Sequence, residues 1–251
     1  MNFYKHLGLI LLTASFSFGA VITFSSDPTT SSAVPFGNSL IFNNAGGIAG
    51  LTLKITGWGR TGAPSGTTFQ TAQVRNFNGG GLGTCDQLEG LNCSSANHTV
   101  DNVGNLNFIM FQFSQAVNIT NVNVNAYGTN KDADATYFLG NTFQNSYNLS
   151  GKTLTTILKP TGEFFGGVNS NVTEGQNNYN HVIGAPLGSI NTLLFGGSVS
   201  TTDVDDYFKV RSITFTVDPT GGTGNPVPEP TTYLTLGAAL LAFGAYRRNK
   251  Q

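Results

Sequence analysis

At 251 residues the chain has room for one sizeable domain or two small ones. Charged residues make up 10% of it, against about 25% in an average soluble protein, and a net charge of −1 gives no basic surface for nucleic acid. Disorder is excluded too, because a 39% hydrophobic fraction with 19 phenylalanines can fill a core while Asn, Thr and Ser supply the polarity.

The first stretch, MNFYKHLGLILLTASFSFGA, carries Lys5 and then an apolar run from Leu7 to Phe18. That run is too short to span a bilayer and reads as a secretory signal peptide over residues 1–19. Ser17 and Gly19 supply the small residues before a cut expected near Gly19 to Val21. An exported chain meets an oxidising compartment, and its two cysteines, Cys85 and Cys93, stand eight positions apart in TCDQLEGLNCS. They predict one local disulfide, worth roughly 2–3 kcal/mol, because a metal or redox pair would need CxxC spacing or companion ligands.

The body, residues 20–218, reads as short strands broken by Gly and Asn turns. LTLKITGW alternates Leu51, Leu53 and Ile55 with Thr52, Lys54 and Thr56. NFIMFQF, from Asn107 to Phe113, is denser and predicts a central strand buried on both faces, as does NTLLFGG. NITNVNVNAYG sets Val122, Val124 and Ala126 against Asn121, Asn123 and Asn125, and SITFTV sets Ile213, Phe215 and Val217 against Ser212, Thr214 and Thr216. Period two marks strands with one buried and one wet face. No stretch of the body shows an amphipathic helical pattern, and no clean internal repeat supports a solenoid. The expected fold is all-β, an antiparallel β-sandwich of the jelly-roll kind.

Enzyme chemistry finds little purchase. The body has two histidines, His98 and His181, and no GxSxG, HExxH or CxxC; NGGGLG matches neither dinucleotide nor P-loop spacing. Glu89, Glu163 and Glu174 are available carboxylates, but nothing in the order of residues pairs them as a glycosidase requires. Oxygen ligands are better represented. Asp86, Glu89, Asp101 and Asn102 lie around the cysteine loop, Asp132 and Asp134 stand in KDADATY, and Asp203, Asp205 and Asp206 stand in TDVDDYF. Calcium takes six to eight oxygens of this kind, so Asp86, Glu89, Asp101, Asp132 and Asp134 are the candidate ligands of a structural calcium ion; solvated acidic turns are the commoner alternative. Trp58, in ITGWGR, is either a core cap or, less commonly, an exposed platform for a sugar ring.

After the body, residues 219–227 form a Gly/Pro/Thr spacer. Residues 228–251 open with Pro228-Glu229-Pro230, continue with a charge-free run over 231–246, and finish with Arg247, Arg248 and Lys250. The run predicts one hydrophobic helix near the lower limit of bilayer length, its cations on the cytoplasmic side. The prolines cannot join that helix and leave an extended handle outside it. This arrangement resembles the PEP-CTERM sorting signal of Gram-negative bacteria, in Val227-Pro228-Glu229-Pro230, the apolar stretch and Arg247-Arg248. The resemblance implies recognition through Pro228, Glu229 and Pro230 by exosortase, a transient inner-membrane anchor, and delivery to the cell surface or an exopolysaccharide matrix. A second stretch is similar to one in exosortase-dependent surface proteins, through Gly81-Leu82-Gly83, Glu89, His98 and Val100-Asp101-Asn102. The resulting expectation is a non-enzymatic surface or matrix protein that is structural or binds glycan weakly. Alternatives are a secreted carbohydrate-active enzyme and, further off, an ice-binding protein, which would need a regular Thr array absent here.

Overall fold

Alternation of apolar and polar residues builds an antiparallel β structure. The computed structural model describes residues 19–24, 35–61, 68–77, 80–90, 98–128, 131–142, 147–173, 176–184, 190–200 and 202–217. In chain order the strands are β1 (Gly19–Thr23), β2 (Ser39–Asn43), β3 (Thr52–Arg60), β4 (Phe69–Phe77), β5 (Gly81–Cys85) and β6 (Val100–Asp101). They continue with β7 (Leu106–Ala126), β8 (Ala135–Gly140), β9 (Phe164–Ser170), β10 (Tyr179–Val182), β11 (Ile190–Gly197) and β12 (Tyr207–Val217). Helix is confined, among the described residues, to a 3-10 turn at Ala45–Gly47 and one turn of α1 (Leu154–Ile157), so none is long and apolar enough to cross a membrane. The chain divides into two units, Met1–Gly221 and Gly222–Gln251. The signal peptide up to Phe18, Cys93, the handle Pro228-Glu229-Pro230, the helix expected over 231–246, and Arg247 and Arg248 all lie outside the described residues.

All twelve strands of the described residues join one hydrogen-bonded network instead of two separate sheets. The reason is β7, 21 residues long. Its first half pairs with β3 and β11, and its second half with β10 and β12. The sequence offers no Gly or Pro between Phe113 and Val117 to stop the strand, so it runs on and changes partners. Because β3 also pairs with β4, β4 with β5, β5 with β12 and β12 with β7, the network closes on itself. Closure rests on the approach of Leu82 to Val210, and Gly81 makes it possible. Its φ of 102° suits glycine alone, and a side chain there would strike the Val210 carbonyl.

Register keeps the core face continuous along this long strand. Ile109, Phe111, Phe113, Val117 and Ile119 enter the main core at odd positions, and Val122 and Val124 at even ones. The switch occurs where Thr214 pairs with Asn121 but Phe215 pairs with Ile119, leaving Thr120 as the extra residue of a bulge. A one-residue insertion flips every following side chain to the other face. β12 makes the matching correction at Arg211, so Phe208 and Val210 share the core with Ile213 and Phe215.

The first half of β7 is buried on its other face as well. Leu106, Phe108 and Met110 join Trp58, Phe69, Phe138 and Leu194 in a second cluster, covered by Leu149, Ile157 and Phe164. α1 sets Ile157 into that cover, and its first turn is fixed by Thr153 and Thr156, whose hydroxyls accept each other's backbone N–H at 3.1 and 2.8 Å.

Truncating β7 inward should therefore be severe. Phe111→Ala, at a fully buried ring stacked 6.0 Å from Phe24, is expected to cost about 3–5 kcal/mol in urea unfolding. Asn123→Ala, on the wet face of the same strand, is expected to cost about 1 kcal/mol or less.

Candidate functional site

Two groups of acids lie near the start of β12, which pairs with β6, the strand that carries Asp101 of the first group. In the first, the cysteine loop folds its own carboxylates into turns. Asp86 Oδ1 accepts the backbone N–H groups of Leu88 and Glu89 at 2.7 and 3.3 Å, and Glu89 Oε2 accepts that of Asp86 at 2.9 Å. The other Glu89 oxygen holds His98 Nδ1 at 3.0 Å. Cys85 is disulfide-bonded, so although its sulfur lies within 4.8 Å of the Glu89–His98 pair it has no thiolate to offer a metal. Asp101 caps the next turn, accepting Val103 N–H and the Thr99 hydroxyl, both at 3.2 Å. Burial, reinforced by the charge of Glu89, pushes the Asp101 carboxyl up to about 8. Burial likewise raises Asp86.

In the second group the strand pattern itself does the gathering. Ala133, Ala135, Tyr137 and Leu139 point into the main core, which by alternation turns Asp132 and Asp134 to the opposite face. Asp132 bridges to Asp206 in parallel pairing, and its carbonyl accepts Tyr207 N–H at 3.1 Å. Carboxylate oxygens of Asp132, Asp134, Asp203 and Asp206 consequently lie within 4.8 Å of one another. Asp203 is half-buried and the other three are buried. Asp134 accepts the N–H of Val172. Asp206 is entirely buried: its Oδ2 accepts Ser198 N–H and Asn102 Nδ2, while Oδ1 has no hydrogen-bond partner. Burial, then the neighbouring Asp132, lifts Asp206 to about 9, and burial lifts Asp134 to about 7. No salt bridge neutralises the four among the described residues; the nearest lysine in sequence, Lys131, lays its ammonium 4.2 Å over the Tyr207 ring.

The five acids singled out as calcium ligands thus do not converge. Asp132 and Asp134 meet Asp203 and Asp206, while Asp86, Glu89 and Asp101 serve their own loop. Asn102 links the two sides. Its Nδ2 donates to the Asp203 carbonyl at 2.9 Å and to Asp206 Oδ2 at 2.6 Å, and its Oδ1 accepts Asp206 N–H at 3.2 Å. Its position in the Val100-Asp101-Asn102 motif was the signal for a role, although the partner, a loop about one hundred residues on, was not visible in the sequence.

Trp58 is corrected as a glycan platform. Only 4% exposed, it packs in the second cluster and donates Nε1–H to Thr56 Oγ1 at 2.9 Å, leaving no open face for a sugar ring. His181 is fully buried, edge-on to Tyr179 and Phe195 at 5.0 and 5.3 Å, and burial lowers its pKa to about 4. It is a neutral core residue at neutral pH.

Asp101 makes stability depend on pH with a definite sign. Its folded pKa, about 8, lies above the ordinary aspartate value of 3.8, so its contribution is complete below pH 3.8, falls as pH rises above it, and is gone once pH has passed through 8. Asp101→Asn removes the charge, keeps an oxygen to accept Val103 N–H, and can donate Nδ2–H to the Thr99 hydroxyl oxygen in place of the bond it loses. The variant should match the parent's melting temperature at low pH and exceed it increasingly towards the alkaline end of that window, as read by thermal melts across the range. A constant difference at all pH values would refute the assignment.

Residues 226–248 match the family model described as the PEP-CTERM protein-sorting motif, so the chain carries that motif. Pro228, Glu229, Pro230, Arg247 and Arg248 all fall inside the matched span. No curated protein and no solved structure matches the chain.

Proposed function

We propose that this chain is a non-enzymatic protein of a Gram-negative cell surface or extracellular matrix, delivered there through its sorting motif. The match over residues 226–248 carries the reading: the motif marks an exported protein handled by exosortase. A signal peptide over residues 1–19 directs export. β1 begins at Gly19 and sets Ala20 and Ile22 into the core, which favours the early end of the Gly19 to Val21 range for the cut. The apolar run 231–246 then holds the chain in the inner membrane as one short helix, with Arg247 and Arg248 on the cytoplasmic side. Exosortase recognises Pro228-Glu229-Pro230, processes the chain nearby, and frees the body to the envelope or to exopolysaccharide.

The body that is delivered is a β-sandwich of the jelly-roll kind whose layers share β7. Its role is structural, or weak glycan binding through amide-rich wet faces. Asn123 and Asn180, whose side chains meet at 2.9 Å across β7 and β10, typify those faces. Amide groups of this kind present donors and acceptors together, which suits a hydroxyl-rich polymer.

Replacing Pro228, Glu229 and Pro230 together by alanine in the native host tests the sorting step. Full-length chain should accumulate in the membrane fraction while the surface and medium lose the protein. An unchanged distribution between fractions would remove exosortase from the account.

A further inference from the structure

We propose that Asp132, Asp134, Asp203 and Asp206 bind one calcium ion, which clasps the loop before β8 to the loop before β12. The site is independent of the sorting reading and would stand if that reading failed. Three features of the geometry point to it.

The first is an atom without a partner. Asp206 is wholly buried and its Oδ2 is already engaged by Ser198 and Asn102, yet Oδ1 has neither water access nor a donor. A buried carboxylate oxygen left unsatisfied is costly, and a cation is the partner that its setting among three further carboxylates selects.

The second is the spacing. Two oxygens on opposite sides of a calcium ion at 2.3–2.6 Å stand about 4.6–5.2 Å apart. The four carboxylates have oxygens all within 4.8 Å of one another, a spacing compatible with one ion shared among them after small side-chain adjustments. Magnesium, at about 2.0–2.1 Å and reluctant to shed water, needs a tighter set with fewer protein ligands.

The third is the donor chemistry. The group is oxygen only, with no imidazole or thiolate, which disfavours zinc and copper. Asn102 is the positioning residue: it grips the Asp203 carbonyl and both the N–H and Oδ2 of Asp206, so it sets two ligands without occupying a coordination position itself.

The competing occupant is a proton shared between Asp206 and Asp132, and the test separates the two. Full-length protein in detergent is stripped with EDTA and dialysed to equilibrium against radiocalcium at about 5 mM, above the weakest affinities of extracellular modules. One calcium per chain and a raised melting temperature are expected, since a ligand of the native state alone stabilises it. Magnesium at the same concentration should give a smaller rise. Asp203→Asn, at the half-buried ligand where folding is least at risk, should weaken binding at least about tenfold, and Asn102→Ala by about 10–100-fold. Asp206→Asn should abolish binding, whereas Asp86→Asn should leave it unchanged. Absence of bound calcium would assign the group to a shared proton and overturn the proposal. So would binding that survives both Asp203→Asn and Asp206→Asn, or binding that Asp86→Asn removes.

Discussion

Burial of β7 on both faces is the constraint from which the rest of the body follows. Ile109, Phe111 and Phe113 fill the main core while Leu106, Phe108 and Met110 fill the second cluster, so no part of this half can face water. Each such side chain contributes about 1.5–3 kcal/mol through burial, and together they outweigh any local preference for a turn. The strand is therefore long and needs partners on both edges along its length. Because β3 and β11 serve one half and β10 and β12 the other, the sheet folds back on itself through β7, with β1, β2, β9 and β10 at its margins. The bulges at Thr120 and Arg211 keep the apolar face inward after each change of direction.

The placement of the acids is a consequence of the same frame. β12 reaches β7 and β6 at its beginning, and this brings the loop carrying Asp203 and Asp206 against the residues just before β8. Strand alternation turns Asp132 and Asp134 towards that loop while Ala133 and Ala135 enter the core. The result is a concentration of carboxyl groups in a protein that has few ionisable side chains. Turns of the cysteine loop neutralise theirs with backbone N–H groups and His98. The second group has fewer such donors, and the calcium proposal rests on that asymmetry.

Much of this was legible in the residues. Alternation in LTLKITGW, NVNVN and SITFTV assigned inward and outward faces, and the density of NFIMFQF anticipated a strand covered twice. The path of β7 was not legible, because bulges shift parity and so erase the alternation that would have revealed one continuous strand. Trp58 shows a related limit. It stands one parity away from Leu51, Leu53 and Ile55, which implied a different face but not whether that face was wet. Its cover comes from Leu149, Ile157 and Phe164, in a segment whose pattern is too irregular to announce a core. For the acids, sequence could place them in loops. It could not sort them, because β6 and β12 pair across a separation of about one hundred residues. The Asp86 and Glu89 spacing was, by contrast, a local capping pattern with a local outcome.

The body and its tail answer different questions. The described residues explain how a charge-poor, Asn-rich chain builds a core, while the matched motif states how that chain is handled by the cell. The most direct measurement of that central claim is the intact mass and C-terminal peptide of the natural protein, taken separately from membrane and culture fractions. The account predicts a released form ending near Pro228-Glu229-Pro230, without Arg247 and Arg248. A released protein that still carries both arginines, or a chain found only at full length in the membrane, would contradict it.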